Sequence, residues 1–275
     1  MDMDHLLVIG NWLLPLLYLA LLIDYGATFF LKTRTVPRRP HLLVVVLVHG
    51  AYLVLRSVHL GRPPLVGGQE SLSVVAWAMA AVYVVVEWTG RDRRTGVFIL
   101  FLAFILQYTS SMFLAAAPAA APAAEAGGLW SGLHTLPALV AYTAFAFAAI
   151  YGLLYLVARR DLKSHRFGVF FDRLPPLDLL GRMMWHALLV GFAFMTVTIV
   201  TGPLMLSTGA LGAQAALSSP KVEMKIVTGG VAWVIYAVAI LGRTFGKWPP
   251  GRISGIAVVG YLVVMALLVA SALMS

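Results

Sequence analysis

The chain has no cysteine. Disulfides, thiolate zinc sites, iron–sulfur clusters and thiol redox chemistry are therefore excluded, and any metal must be held by His, Met, Tyr or carboxylate. Charge is nearly as scarce. Asp, Glu, Lys and Arg make up 11% of the residues, against about 25% in a soluble domain. Hydrophobic residues make up 61% and the mean hydropathy is +0.90, which leaves no room for a separate soluble domain among the 275 residues. No nucleotide-binding loop and no acid/base cluster is visible, so no classical enzyme activity is assigned. The acidic start, Met1-Asp2-Met3-Asp4-His5, lacks the basic region of a cleavable signal peptide, and the first apolar stretch is expected to be retained.

What is present is a series of long apolar runs. A bilayer core of about 30 Å needs about 20 such residues per helix. Eight segments qualify, at 6–31, 41–60, 71–88, 95–116, 131–158, 178–206, 224–242 and 253–273. The sequence thus predicts an all-α, polytopic membrane bundle of eight spans in one domain, 1–275. Of the 20 Lys and Arg, four, three, five and three fall in the connectors after spans 1, 3, 5 and 7; Arg182 brings that side to 16, and Arg56, Arg62, Lys221 and Lys225 are the other four. This bias makes the odd-numbered connectors cytoplasmic and puts both termini outside. It also accounts for the net charge of +9 without a nucleic-acid partner; the lipid bilayer is the expected one. The outer connector 117–128, Ala- and Pro-rich, reads as a spacer.

Within the apolar runs lie His49, His59, His134 and His186. Ionisable groups are costly in a bilayer and persist there mainly for function, and imidazole is the usual nitrogen ligand of haem iron. The orientation sorts the four into two levels, His59 with His134 near the outer surface and His49 with His186 deeper, each pair drawn from different helices as bis-histidine ligation of haem requires. The alternative reading for His49 and His186 is a hydrogen bond to a hydroxyl or carbonyl inside the bundle. For His59, as for His41 and His5, it is an interfacial ring with a wet tip, and His165 is expected to be solvated. Arg56, seven residues after His49, shares its helix face and suits a haem propionate or snorkels to the surface. Glu70 is expected to cap span 3, and Glu87 to sit in the interface. Trp88, Trp130, Trp185, Trp233 and Trp248 mostly lie near span ends, as an aromatic belt.

Several stretches line up in order with a known family. They are His49…Leu55-Arg56…His59-Leu60-Gly61-Arg62-Pro63-Pro64; Gln69-Glu70-Ser71-Leu72…Ala76-Trp77; Leu129-Trp130-Ser131-Gly132-Leu133-His134; Arg173-Leu174-Pro175-Pro176-Leu177-Asp178; Gly191-Phe192…Thr201-Gly202; Ser219-Pro220-Lys221; Trp233-Val234-Ile235-Tyr236; and Lys247-Trp248…Gly251-Arg252. The chain resembles the cytochrome c assembly family, the haem-handling membrane proteins of the CcsA and HemX type, over roughly residues 45–270. The resemblance implies a multi-pass protein of the bacterial cytoplasmic membrane that holds haem and presents it for attachment to apocytochrome c. It makes His134 the counterpart of the outer axial histidine, and the 207–225 connector the counterpart of a tryptophan-rich haem platform. The chain departs from that pattern: Ala215-Ala216-Leu217-Ser218-Ser219-Pro220-Lys221 has no tryptophan, and Leu241-Gly242 stands where a histidine is expected. The leading expectation is therefore haem binding or relay for cytochrome maturation or haem biosynthesis, rather than lyase activity. The cofactor would be haem b, one or two, held by His134, His59, His49 and His186 as iron ligands, with Arg56 at a propionate. Partners would be other membrane subunits of a cytochrome maturation or respiratory complex. Two further readings stay open: a bis-histidine b-type electron-transfer subunit of a respiratory complex, and a structural subunit without cofactor.

Overall fold

The computed structural model describes residues 3–31, 40–61, 68–90, 93–116, 129–165, 168, 172–207 and 220–273. Among them are eight helices long and apolar enough to cross a membrane, and no strand. The chain divides into two compact units, Met1–Ala126 and Gly127–Ser275.

The first unit holds α1 (Met3–Phe30), α2 (His41–Leu60), α3 (Gly68–Gly90) and α4 (Gly96–Ala116). Each helix packs on the next, and α1 closes the ring on α4. The buried positions of α1 include Leu7, Asn11, Leu14, Tyr18, Leu21, Tyr25 and Phe29. Steps of three and four put them on one stripe of the helix. At one end of the unit Tyr25 and Tyr83 press on Gly96, where a Cβ would collide with both rings. Helices in lipid gain little hydrophobic drive from meeting each other, so backbone approach at small residues supplies much of their cohesion.

The connector between α3 and α4 is tied down by charge. Arg93 Nη2 lies 3.3 Å from Asp24 Oδ2, and its Nε lies 3.1 Å from Glu87 Oε1. The Tyr25 hydroxyl donates to Glu87, and the Arg93 guanidinium stands 4.2 Å over the Tyr25 ring. Burial works against the Arg93 charge, but Tyr25 and the Glu87 and Asp24 carboxylates outweigh it and raise its pKa. Glu87, expected in the interface, is instead buried in this cluster, because Arg93 folds back over it.

The second unit holds α5 (Leu129–Lys163), α6 (Leu177–Ser207), α7 (Pro220–Thr244) and α8 (Pro250–Leu273). Its core is aromatic. Phe145 and Tyr236 stack with centroids 3.8 Å apart. Phe192 stacks on Trp233 at 5.5 Å, and Trp233 Nε1 donates to Thr196 Oγ1 at 3.0 Å. Gly191 of α6 makes room for this layer: a Cβ there would sit 2.5 Å from the Phe145 ring and 3.2 Å from Ala141 O.

The span edges fall within a few residues of the apolar runs, with two extensions. α5 runs on to Lys163 rather than stopping at 158, and α7 begins at Pro220 rather than 224. Among the added residues Arg159, Arg160, Lys163, Lys221 and Glu223 are charged yet good helix formers, and proline is at home in a first turn.

Candidate functional site

His134 lies half-buried in the first turns of α5. Its Nδ1 is 3.0 Å from the Thr198 main-chain carbonyl on α6. A carbonyl only accepts, so the proton is assigned to Nδ1. Thr201 Oγ1 also approaches Nδ1, at 3.5 Å, while its own proton is directed to Val197 O at 2.9 Å. The lone pair is left on Nε2, which has no hydrogen-bond partner among the described residues. The local backbone makes room for the ring. Gly202 has no side chain, and a Cβ there would stand 3.3 Å from His134 Cε1. Pro137 follows His134 by three residues and Pro203 follows Thr198 by five on their own helices, and their missing N–H groups loosen the main-chain ladder nearby. An imidazole held through Nδ1–H to a carbonyl, with Nε2 outward, is the arrangement metal-ligating histidines use.

His49 is placed differently. It is fully buried on α2, and both ring nitrogens are engaged. The Tyr18 hydroxyl of α1 lies 3.0 Å from Nδ1, and Ser73 Oγ of α3 lies 2.9 Å from Nε2. Ser73 donates onward to Gln107 Oε1 at 2.8 Å, and Gln107 Nε2 donates to Ser111 Oγ at 3.0 Å. Asn11 Nδ2 donates to the Ser111 carbonyl at 3.0 Å, and the Tyr52 hydroxyl reaches Asn11 Oδ1 at 3.5 Å. Since Ser73 spends its proton on Gln107, it accepts from His49 Nε2–H, and Nδ1 accepts from Tyr18. His49 is thus a neutral ring of fixed tautomer in a network that joins all four helices of the first unit. Coordinating a metal would break one of these bonds.

His59, in the last turn of α2, is exposed, with Nε2 3.2 Å from Asp4 Oδ1 at the start of α1. His186, on α6, is exposed and makes no hydrogen bond to another described residue. Of the paired histidines, His49 and His59 belong to the first unit and His134 and His186 to the second. Arg56 Nη2 bonds buried Glu70 at 3.1 Å, and its buried Nε–H has no partner among the described residues. The platform counterpart at 208–219, the spacer 117–128 and Arg62 lie outside the described residues.

The sequence reading did not single out Tyr18, Ser73, Gln107, Asn11 or Ser111. An amide in mid-span is the signal that was there to follow: Asn11 and Gln107 each interrupt an otherwise apolar run, and in lipid an amide needs partners.

The helices and these intramembrane polar groups define a multi-pass membrane protein with a histidine-bearing interior. The sequence profile of the cytochrome C assembly protein family matches residues 65–275, and the chain belongs to that family. Its relatives include Protein HemX of Brevibacillus brevis, 26% identical over 191 residues, which are 68% of this chain and 69% of HemX. The cytochrome c biogenesis protein CcsA of Nostoc punctiforme is 25% identical over 57% of this chain and 46% of its own. The inner membrane protein YpjD of Escherichia coli is 27% identical over 48% of this chain and 46% of its own. The chain thus spans about two thirds of HemX and just under half of the other two. No solved structure matches it.

Proposed function

We propose that this protein binds haem in a bacterial cytoplasmic membrane and holds it as cargo for cytochrome c maturation, with His134 Nε2 as the nitrogen that would hold the iron. One observation carries the assignment of the ligand. The Nδ1–H bond to the Thr198 carbonyl at 3.0 Å fixes the ring and leaves Nε2 as the lone-pair nitrogen. The residues fit haem iron for a chemical reason. Neutral imidazole is a strong haem ligand, and a hydrogen-bond acceptor on the far nitrogen raises its basicity. Family membership supplies the biological setting. Haem would bring the reducible iron; the chain's own residues orient the imidazole and keep its proton on the nitrogen away from the metal. His59 and His186 are carried as further candidates to hold haem iron, and Arg56, which bonds Glu70 through Nη2, as a candidate for a propionate.

The test is optical. Full-length protein made with haem available should show a reducible Soret band. His134→Gly should lose most of that absorbance per protein, and added imidazole should restore it. A Soret band unchanged in His134→Gly removes His134 from the site; no band in the unaltered protein overturns the haem reading itself.

A further inference from the structure

α5 is longer than a bilayer requires. Its 35 residues extend about 52 Å at 1.5 Å per residue, against a hydrocarbon core of about 30 Å. The apolar run gives out at Val157-Ala158, and Arg159, Arg160 and Lys163 follow on the last turns. At this end of the second unit two guanidinium groups stand over indoles, Arg243 4.2 Å over Trp185 and Arg252 4.0 Å over Trp248. Phe245, beside them in the α7–α8 turn, is 77% exposed. Tryptophan and exposed aromatics mark the headgroup level of a bilayer, so the α5 cations stand at that level too.

Two surface cavities open beside these turns. One, of about 390 Å³, is lined by Leu156, Arg159, Arg160, Lys163 and Ser164. The other, of about 330 Å³, is lined by Val157, Arg160, Asp161 and Ser164. In each, an apolar residue comes first along the helix and the polar and charged ones follow. Arg159 is pinned from behind, its guanidinium lying where a Cβ on Gly251 would be. Exposed Lys247 and Arg252 add positive charge at the same end, and Asp161 is the opposing carboxylate in the smaller cavity.

We propose that this end of the second unit binds an anionic phospholipid, with the headgroup phosphate on Arg160 and Lys163 and the acyl chains starting at Leu156 and Val157. A free phosphate would use the cations but not the apolar floor, and a zwitterionic lipid would use the floor but gain little from the cations. Basic pockets at the ends of membrane helices recognise anionic headgroups on this chemistry. The site needs no haem and stands apart from His134.

Native mass spectrometry of the full-length protein in detergent tests it, with phosphatidylglycerol and phosphatidylcholine of matched chains as probes. Phosphatidylglycerol should be retained at least several-fold over phosphatidylcholine. The double variant R160A/K163A should lower that retention about tenfold or more, as loss of two headgroup cations implies. K163R should retain the lipid, and R91A/R94A, a charge-matched double change in the first unit, should leave retention unaltered. Equal retention of the two lipids, wild-type retention by R160A/K163A with an unshifted thermal transition, or displacement of the lipid by millimolar inorganic phosphate would each overturn the proposal.

Discussion

The His49 network allows a double-mutant test whose size follows from the distances. Ser73 Oγ stands 2.9 Å from His49 Nε2 and 2.8 Å from Gln107 Oε1. Ser73→Ala removes both bonds and leaves the His49 N–H buried without an acceptor. Hydrogen bonds between membrane helices average about 0.6 kcal/mol, with about 1.7 at most, so two bonds and an orphaned donor predict a loss of about 1–3 kcal/mol. His49→Phe keeps an aromatic ring in place. Tyr18 then retains a second acceptor, the Ala76 carbonyl at 3.3 Å, and Ser73 retains Gln107, so this substitution should cost about 1–2 kcal/mol. In the His49→Phe background, Ser73→Ala loses only its bond to Gln107. The two changes should therefore cost less together than apart, by about 1 kcal/mol, which is about a fivefold effect on the unfolding constant. Reversible unfolding in mixed micelles measures this, and the Soret absorbance per protein, read on the same samples, should stay at the wild-type level. Additive costs would refute the hydrogen-bonding role. A loss of haem in His49→Phe at unchanged stability would refute the reasoning from the other side and make His49 a ligand.

Other substitutions probe the packing directly. Gly191→Ala places a methyl 2.5 Å from the Phe145 ring, and an overpacked core layer should cost about 1–3 kcal/mol of unfolding free energy; a neutral result would mean that the Phe145–Tyr236 layer shifts freely. Arg93→Ala leaves Glu87 buried beside Tyr25 without its cation, at a cost of about 3 kcal/mol. Adding Glu87→Gln should recover much of that loss in the same unfolding measurement, and failure to recover it would show that Arg93 acts through packing alone.

How far the sequence can be read differs between helix and site. The spans are legible because hydropathy accumulates over about twenty residues. The C-terminal turns of α5 were not, since Arg159, Arg160 and Lys163 end the apolar run while continuing the helix. Site geometry depends on how each helix is rotated about its axis. A helix apolar all round carries little amphipathic signal to fix that rotation, so Ser73 could not be placed against His49, nor Gln107 against Ser73. Glu87 shows the same limit. Its position near a span end reads as interfacial, and only the return of Arg93 across the connector buries it. For His134 the resemblance singled out the residue as a candidate, while its hydrogen-bond partner is a main-chain atom that carries no sequence mark.

That main-chain acceptor bears on how the protein can vary. The Thr198 oxygen that holds His134 belongs to the peptide backbone, so any residue that keeps α6 helical supplies the same acceptor, and the side chain at 198 can drift without disturbing the ring. The constraint moves to the neighbours of the ring. A Cβ at Gly202 would stand 3.3 Å from His134 Cε1, so a larger residue there obliges the ring to give by a few tenths of an ångström. Related chains can therefore keep the imidazole in place while replacing the side chains around it, a pattern of tolerance that residue identities alone would not reveal.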